Sequence, residues 1–177
     1  PMLFAISTVR ALPRSWFYYA LFYCALGIVT FASLRHHLID THDVETFGDH
    51  MAISENFSFF FSPEKATASG RLVDEMAMWI AYLVWGNNPA LFHLLSAACH
   101  LLAGFSLALL YRRLGADREL SFAAGLLFML HVGHIQAVQW ISALEYPLAL
   151  LVVTLCVHCY VSFLVGRTRR ALLIFYG

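Results

Sequence analysis

Four histidines within apolar sequence are the residues of this chain whose type and spacing point most directly to chemistry. They lie on two long apolar segments between residues 88 and 142 and are His93, His100, His131 and His134. Imidazole is costly to place in hydrocarbon unless it faces a cavity or a partner. His93 and His100 are two helical turns apart, roughly 10 Å, so they can line one groove. The pattern predicts a ligand-binding groove, with axial ligation of a chlorin or haem as an alternative because neutral imidazole binds metals.

A second group of reactive side chains precedes these histidines, in residues 35–56. It consists of the carboxylates Asp40, Asp43, Glu45 and Asp49 and the imidazoles His36, His37, His42 and His50. Carboxylates this dense can bind a divalent cation or take a proton from an attacking hydroxyl, whereas a solvated acidic loop is the alternative. The histidine spacing matches no compact zinc signature, so we assign no residue as a metal ligand.

The composition predicts that these groups are positioned by membrane helices. Of the 177 residues, 60% are hydrophobic and only 12% are charged, whereas a soluble domain has about a quarter of its residues charged. The formal net charge is zero, so nothing indicates a nucleic-acid partner.

Four segments are long enough to cross a bilayer, which takes about 20 apolar residues. They cover about residues 15–34, 89–111, 120–141 and 146–165, and a fifth apolar run begins at Ala171. We therefore predict an all-α, polytopic membrane helix bundle that forms one transmembrane domain over residues 1–177. The run at Ala171 also leads us to expect a fragment of a longer chain.

The basic residues predict the orientation of these spans. They cluster before the first span, between the second and third, and after the fourth, and these three places hold eight of the eleven. By the positive-inside rule, the N-terminus and the turns 112–118 and 167–170 are cytoplasmic. Residues 35–88 then form an external acidic loop. Its apolar part, with Trp79, Tyr82 and Trp85, predicts an interfacial helix, with a re-entrant segment as the alternative.

An ordered series of short motifs resembles a family of membrane enzymes. The series is Trp85-Gly86-Asn87-Asn88-Pro89, Phe92-His93-Leu94, His100, Tyr111-Arg112-Arg113-Leu114, Leu130-His131, His134 and Trp140-Ile141-Ser142. Over roughly residues 48–165 the chain resembles the GT-C class of glycosyltransferases, in particular the protein O-mannosyltransferase-like branch with its bacterial relatives. The resemblance implies transfer of a sugar from a polyprenyl-phosphate donor to an acceptor at the periplasmic face of a bacterial inner membrane.

The resemblance also implies roles for individual residues. The acidic pair of the family's first external loop aligns with Gly48 and Asp49, so Asp49 is the expected general base or metal-orienting carboxylate. Arg71 is expected to pair with the donor phosphate, and Glu145 to supply the acid that follows the Trp-Ile-Ser motif. The other residues expected to bind substrate are His50, Asn56, His93, His131, His134 and Trp140.

A non-catalytic role is the alternative. Gly48 stands where the family has a further acid, and Ala143-Leu144 stands where it has an arginine. These departures favour a transmembrane subunit or scaffold of a larger complex, with protein subunits and membrane lipids as partners. A pigment-binding version of this hypothesis uses the intramembrane histidines.

Overall fold

The computed structural model describes residues 15–32, 41–62 and 72–166, and within these ranges the chain forms helices and no strands. The α-helices are α1 (Ser15–Phe31), α2 (Thr41–Glu55), α3 (Leu72–Trp85), α4 (Pro89–Arg113), α5 (Arg118–Leu130), α6 (Ile135–Gln139) and α7 (Glu145–Gly166). Short 3₁₀ helices cover Phe57–Phe61, Val132–His134 and Ile141–Ala143. The predicted all-α class is confirmed. Arg71, the acid at position 40, the histidines 36 and 37, the 167–170 turn and the apolar run from 171 lie outside the described residues.

Helix α4 is the centre of the bundle and packs against α1, α5 and α7. The turn between α4 and α5 reverses the chain at Gly115, whose φ of 100° favours glycine. Helices α4 and α5 therefore run antiparallel and approach closely, since a Cβ on Gly104 would lie 3.3 Å from the carbonyl oxygen of Gly125. At the end of α4 that leads into this turn, Arg113 Nη1 donates to Ser162 Oγ near the end of α7 at 2.9 Å. Helices α4 and α7 thus run parallel.

Two helices are long and apolar enough to cross a membrane, covering Pro89–Arg113 and Ile141–Leu164. A third span arises if α5 and the segment Val132–Gln139 count together, although they are bent by 50°. Helix α1 has 17 residues within the described part of the chain, fewer than the roughly 20 that a bilayer takes. The structure therefore supports a membrane protein, whereas the predicted count of four to five spans is not confirmed.

The predicted helix over residues 120–141 is interrupted rather than continuous. Helix α5 ends at Leu130, and His131 has extended backbone angles, φ −65° and ψ 123°. The backbone N–H of Gly133 donates to His131 Nδ1 at 3.1 Å, so a side chain replaces a helical acceptor at this point. The apolar pattern alone did not reveal this break, because it depends on local side-chain hydrogen bonds.

The described ends of the arginine-rich segments lie at one end of the bundle. The guanidinium of Arg118 sits 6.0 Å from the ring centroid of Tyr19, near the start of α1. Arg113 reaches Ser162 near the end of α7. One end of the bundle therefore brings together the start of α1, the 114–117 turn and the end of α7. The predicted alternation of four spans requires this arrangement. Which side of a membrane this end faces stays a prediction.

Helices α2 and α3 form a layer at the opposite end, which we call the cap. They pack against each other, and the ring of Phe47 in α2 contacts that of Phe92 in α4 with centroids 5.0 Å apart. Trp85, the last residue of α3, contacts the same Phe92 ring at 5.8 Å. The helix predicted from Trp79, Tyr82 and Trp85 is confirmed as α3, and its interfacial position stays a prediction. Helix α2 was not predicted.

The junction between the cap and α4 is made by local sequence. Gly86 has a φ of 59°, and its N–H donates to the carbonyl of Tyr82 at 2.7 Å, which ends α3 in a left-handed cap. Asn88 is the N-cap of α4, and Pro89 occupies its first turn, where a missing N–H costs nothing. These signals are the Trp-Gly-x-Asn-Pro motif of the sequence.

Candidate functional site

A cavity of about 450 Å³ opens at the break between α5 and α6, beside the start of α7. Its polar and aromatic lining comprises His100, Phe128, His134, Gln136, Trp140 and Tyr146. Among the described residues that line it, none is Asp, Glu, Lys or Arg. The break in the third apolar segment therefore creates the space that two of the predicted site residues, His134 and Trp140, enter.

The two imidazoles in this cavity form hydrogen bonds with carbonyl groups at the C-terminal end of α5. A helix leaves its last carbonyl groups without partners inside the helix. His134 Nδ1 lies 2.8 Å from the carbonyl oxygen of Phe128, and His100 Nε2 lies 3.1 Å from that of Met129. The rings themselves are 5.3 Å apart between centroids. His100 is thus a buried histidine bonded to a neighbouring helix, and it is also part of the cavity wall.

His131 has a different environment from its neighbour. Its side chain is exposed, and its Nδ1 accepts from the N–H of Gly133. The ring lies 5.2 Å from that of His134 between centroids, without lining the cavity. The structure therefore assigns His131 a position at the break and His134 a position in the cavity wall.

Two aromatic side chains of the cavity lining are accessible. Trp140 is 37% exposed and Tyr146 is 63% exposed. Pro147 lines the cavity from the first turn of α7, where the sequence predicts it. Flat aromatic faces beside a few polar groups are the usual lining of a small-molecule site.

The cap touches the bundle beside this cavity through a buried carboxylate. Asp43 is 1% exposed, and its Oδ1 accepts from the N–H of Ser142 at 2.9 Å. Ser142 directly precedes Ala143, which lines the cavity. One face of α2 carries Asp43, Phe47 and His50 at helical spacing, and all three are buried. That buried face of α2 is the signal in the sequence that singles out Asp43 among the acids of the loop.

A second buried polar group joins the two helices of the cap. His50 is fully buried, and its Nε2 lies 3.6 Å from Glu75 Oε2. The ring also lies 6.1 Å from that of Tyr82 between centroids. His50 therefore connects α2 to α3, and it does not line the cavity.

The remaining predicted site residues are dispersed. Asp49 is half-buried on α2. Asn56 is exposed, and its Oδ1 accepts from the N–H and the hydroxyl of Ser58, at 3.1 and 2.7 Å. His93 is buried in α4, on the face it shares with His100 as predicted, but away from the cavity. Glu145 is half-buried and begins α7.

The residues that the structure describes form no metal-binding cluster. Among residues 15–32, 41–62 and 72–166, no three His, Cys, Asp or Glu side chains are placed to hold a metal ion. The divalent cation and the chlorin or haem stay predictions.

Comparisons with family models, curated proteins and solved structures find no match to this chain. Its function is therefore argued from its own residues. Sequence reasoning did not single out Gln136 and Tyr146 as parts of one site. They line the same cavity because the chain changes direction at His131, and the sequence does not show this change.

Proposed function

We propose that this chain is a GT-C-type glycosyltransferase of a bacterial inner membrane, which transfers a sugar from a polyprenyl-phosphate donor to an acceptor at the periplasmic face. The observation that carries the proposal is the hydrogen bond from Ser142 to Asp43, which joins the acidic helix α2 to the wall of an uncharged cavity. The helix that carries the proposed base Asp49 therefore contacts the bundle next to a residue that lines the cavity.

Each component has a role in such a transfer. Asp49 acts as general base and removes the proton of the acceptor hydroxyl while that oxygen attacks the anomeric carbon of the donor. The polyprenyl phosphate leaves with the electron pair of the broken bond, and Arg71 pairs with its charge. His134 and Trp140 hold the sugar ring. Glu145, at the start of α7, stays the candidate second acid. His50, Asn56, His93 and His131 lie outside the cavity and have no contact with the sugar in this proposal.

Exposure of the helices supports entry of a lipid donor from the side. In the apolar 18-residue stretch of Ile141–Leu164, 17% is buried, whereas in that of Pro89–Arg113 50% is buried. The outer face of α7 includes Val152, Val153 and Leu155, each about half exposed. An apolar face of this kind suits contact with lipid chains, and α7 begins at the cavity, so a polyprenyl chain can lie along it.

The test is a transfer assay with the full chain in lipid nanodiscs. Radiolabelled mannosyl- and glucosyl-phosphate polyprenols serve as donors, and transfer to a hydroxyl-bearing acceptor peptide is measured. Asp49→Asn is expected to lower the rate about a hundredfold or more, the usual contribution of a general base. The matched control is Glu45→Gln, the same change at an exposed position of the same helix. Undiminished transfer by Asp49→Asn removes Asp49 from the mechanism.

The same exposed face of α7 also favours a second function, a non-catalytic subunit of a larger membrane complex. Apolar surface that is not covered within the described chain can bind other protein subunits as well as lipid. Stoichiometric partners that copurify in mild detergent, together with absence of transfer, support this role. A monodisperse monomer that transfers sugar contradicts it. Visible absorbance lost on substitution of His93 or His131 supports the pigment-binding version, which a colourless protein rejects.

A further inference from the structure

The hydrogen bonds at the end of α5 determine which nitrogen of each cavity imidazole carries the proton. A carbonyl oxygen can only accept, so the ring nitrogen facing it must donate. His134 therefore carries hydrogen on Nδ1, which faces Phe128 O. His100 carries hydrogen on Nε2, which faces Met129 O. In the neutral imidazoles the other nitrogens, Nε2 of His134 and Nδ1 of His100, are unprotonated acceptors.

These two acceptors belong to rings that line the same cavity. Neither of them accepts a hydrogen bond from the part of the chain that the structure describes. With ring centroids 5.3 Å apart, the pair can accept from two neighbouring hydroxyl groups of one ligand. The helix end thus holds both rings in the tautomers that suit a ligand rich in donors.

The uncharged lining favours a neutral ligand over two charged classes. A phosphate group is usually neutralised by arginine or lysine, and no described lining residue is Arg or Lys. A buried cation is usually paired with a carboxylate, and no described lining residue is Asp or Glu. The favoured class is a neutral ligand with hydroxyl donors and an apolar face for Trp140.

We propose that this cavity binds a neutral sugar ring through Nδ1 of His100 and Nε2 of His134, with the ring stacked on Trp140, and that it rejects phosphate. The inference deepens the proposed function and rests on it for the role of the sugar in transfer. It places the phosphate of a lipid-linked donor outside the cavity. His100 and His134 are then selectivity residues whose tautomers are set by the backbone of α5.

The experiment uses the full chain in nanodiscs with ¹⁵N-labelled histidine, observed by long-range ¹H–¹⁵N NMR. His134 is expected as the Nδ1–H tautomer and His100 as the Nε2–H tautomer. Methyl glycosides of mannose, glucose, galactose and N-acetylglucosamine are the probes, and at least one is expected to shift both unprotonated nitrogens. Inorganic phosphate, added at the same concentration, is expected to shift neither. Opposite tautomers, absence of a shift with every glycoside, or a shift with phosphate alone overturns the inference.

Variants test the two parts of the site separately. His134→Phe is expected to weaken glycoside affinity about tenfold, which corresponds to one lost hydrogen bond and the ordering it provides. Val132→Phe introduces the same side chain at an exposed position outside the cavity and removes no side-chain hydrogen bond. It is the control and is expected to change affinity less than about twofold. His134→Phe also removes the hydrogen bond to the carbonyl of Phe128. Trp140→Leu is therefore a second variant, which leaves the hydrogen bonds of His100 and His134 intact and is expected to weaken binding. Affinity unchanged in Trp140→Leu overturns the stacking.

Failure of this inference is distinguishable from failure of the proposed function. Glycoside binding with the expected tautomers, but without transfer from any donor, supports the sugar site and contradicts the transferase. Transfer by a protein whose His100 and His134 signals do not respond to glycosides contradicts the sugar site alone. Competition between a glycoside and the lipid-linked donor assigns the cavity to the donor sugar, and binding without competition assigns it to the acceptor.

Discussion

The carboxylate of Asp43 accepts a hydrogen bond from the backbone N–H of Ser142 at 2.9 Å, although 99 positions separate the two residues. Ser142 lies in the 3₁₀ helix Ile141–Ala143, directly before α7. The first N–H groups of a helix have no partners within it, and a negative charge is favourable there. Asp43 therefore attaches the cap to the bundle at the place where the cavity opens.

Removal of this contact is expected to destabilise the protein. Asp43→Ala leaves the partly buried N–H of Ser142 without its charged acceptor, and we expect the free energy of unfolding to fall by about 2 kcal/mol. Asp43→Asn keeps an acceptor oxygen and is expected to cost about half as much. Unfolding in mixed detergent micelles, followed by tryptophan fluorescence, measures both. Glu45→Ala, at an exposed position of α2, is the control, and an equal loss in the control contradicts the assigned contact.

Gly125 of α5 lies where this helix packs closely against α4 and α1, so a larger side chain at this position tests the helix packing. A Cβ on Gly125 would lie 2.5 Å from the carbonyl oxygen of Gly104 and 2.8 Å from Ala108 Cβ, and would also meet the hydroxyl of Tyr23. Gly125→Ala is expected to lower stability by about 2 kcal/mol because backbone must move. Gly48→Ala is the matched control, since no atom lies within 4 Å of its added Cβ.

Gly48 lies within α2, where alanine is the better helix former, so Gly48→Ala is expected to raise stability by about 0.5–1 kcal/mol. The same unfolding measurement compares the two glycine variants. Equal changes in both contradict the helix arrangement described for α4 and α5.

The link between α4 and α7 depends on Arg113. Its Nη1 donates to the carbonyl of His158 at 3.2 Å and to Ser162 Oγ at 2.9 Å. Arg113→Ala is expected to lower stability by about 1–2 kcal/mol, because two acceptors lose a charged donor. Arg112→Ala is the control at an exposed position, where the lost bond goes to the nearby carbonyl of Ala116. Equal stability of the two variants shows that Arg113 does not hold the helices together.

The predicted orientation is tested with single cysteines in right-side-out and inside-out vesicles. The native Cys24, Cys99, Cys156 and Cys159 are first changed to serine. Ala116→Cys, in the arginine-rich turn, is expected to react with an impermeant maleimide only from the cytoplasmic side. Gly48→Cys, in the cap, is expected to react only from the outside. Labelling of both from one side contradicts the orientation.

Much of the helical pattern follows from local sequence. The start of α4 was predicted from Pro89 and the helix α3 from its aromatic residues, and both are confirmed. The span predicted over residues 120–141 is bent by 50° after Leu130, where the side chain of His131 accepts a hydrogen bond from Gly133. Hydropathy does not register a change of direction between two equally apolar segments.

The sequence by itself determined the membrane class, the apolar segments and the arginine-rich ends, because hydropathy and helix termini depend on residues close together in the chain. It also singled out the histidines as costly residues that need partners. Tertiary structure decided which partners they have: His100 reaches Met129 O across two helices, and Asp43, rather than another acid, reaches Ser142. These contacts join residues 29 and 99 positions apart, so only the packing of the helices brings their atoms within hydrogen-bond distance.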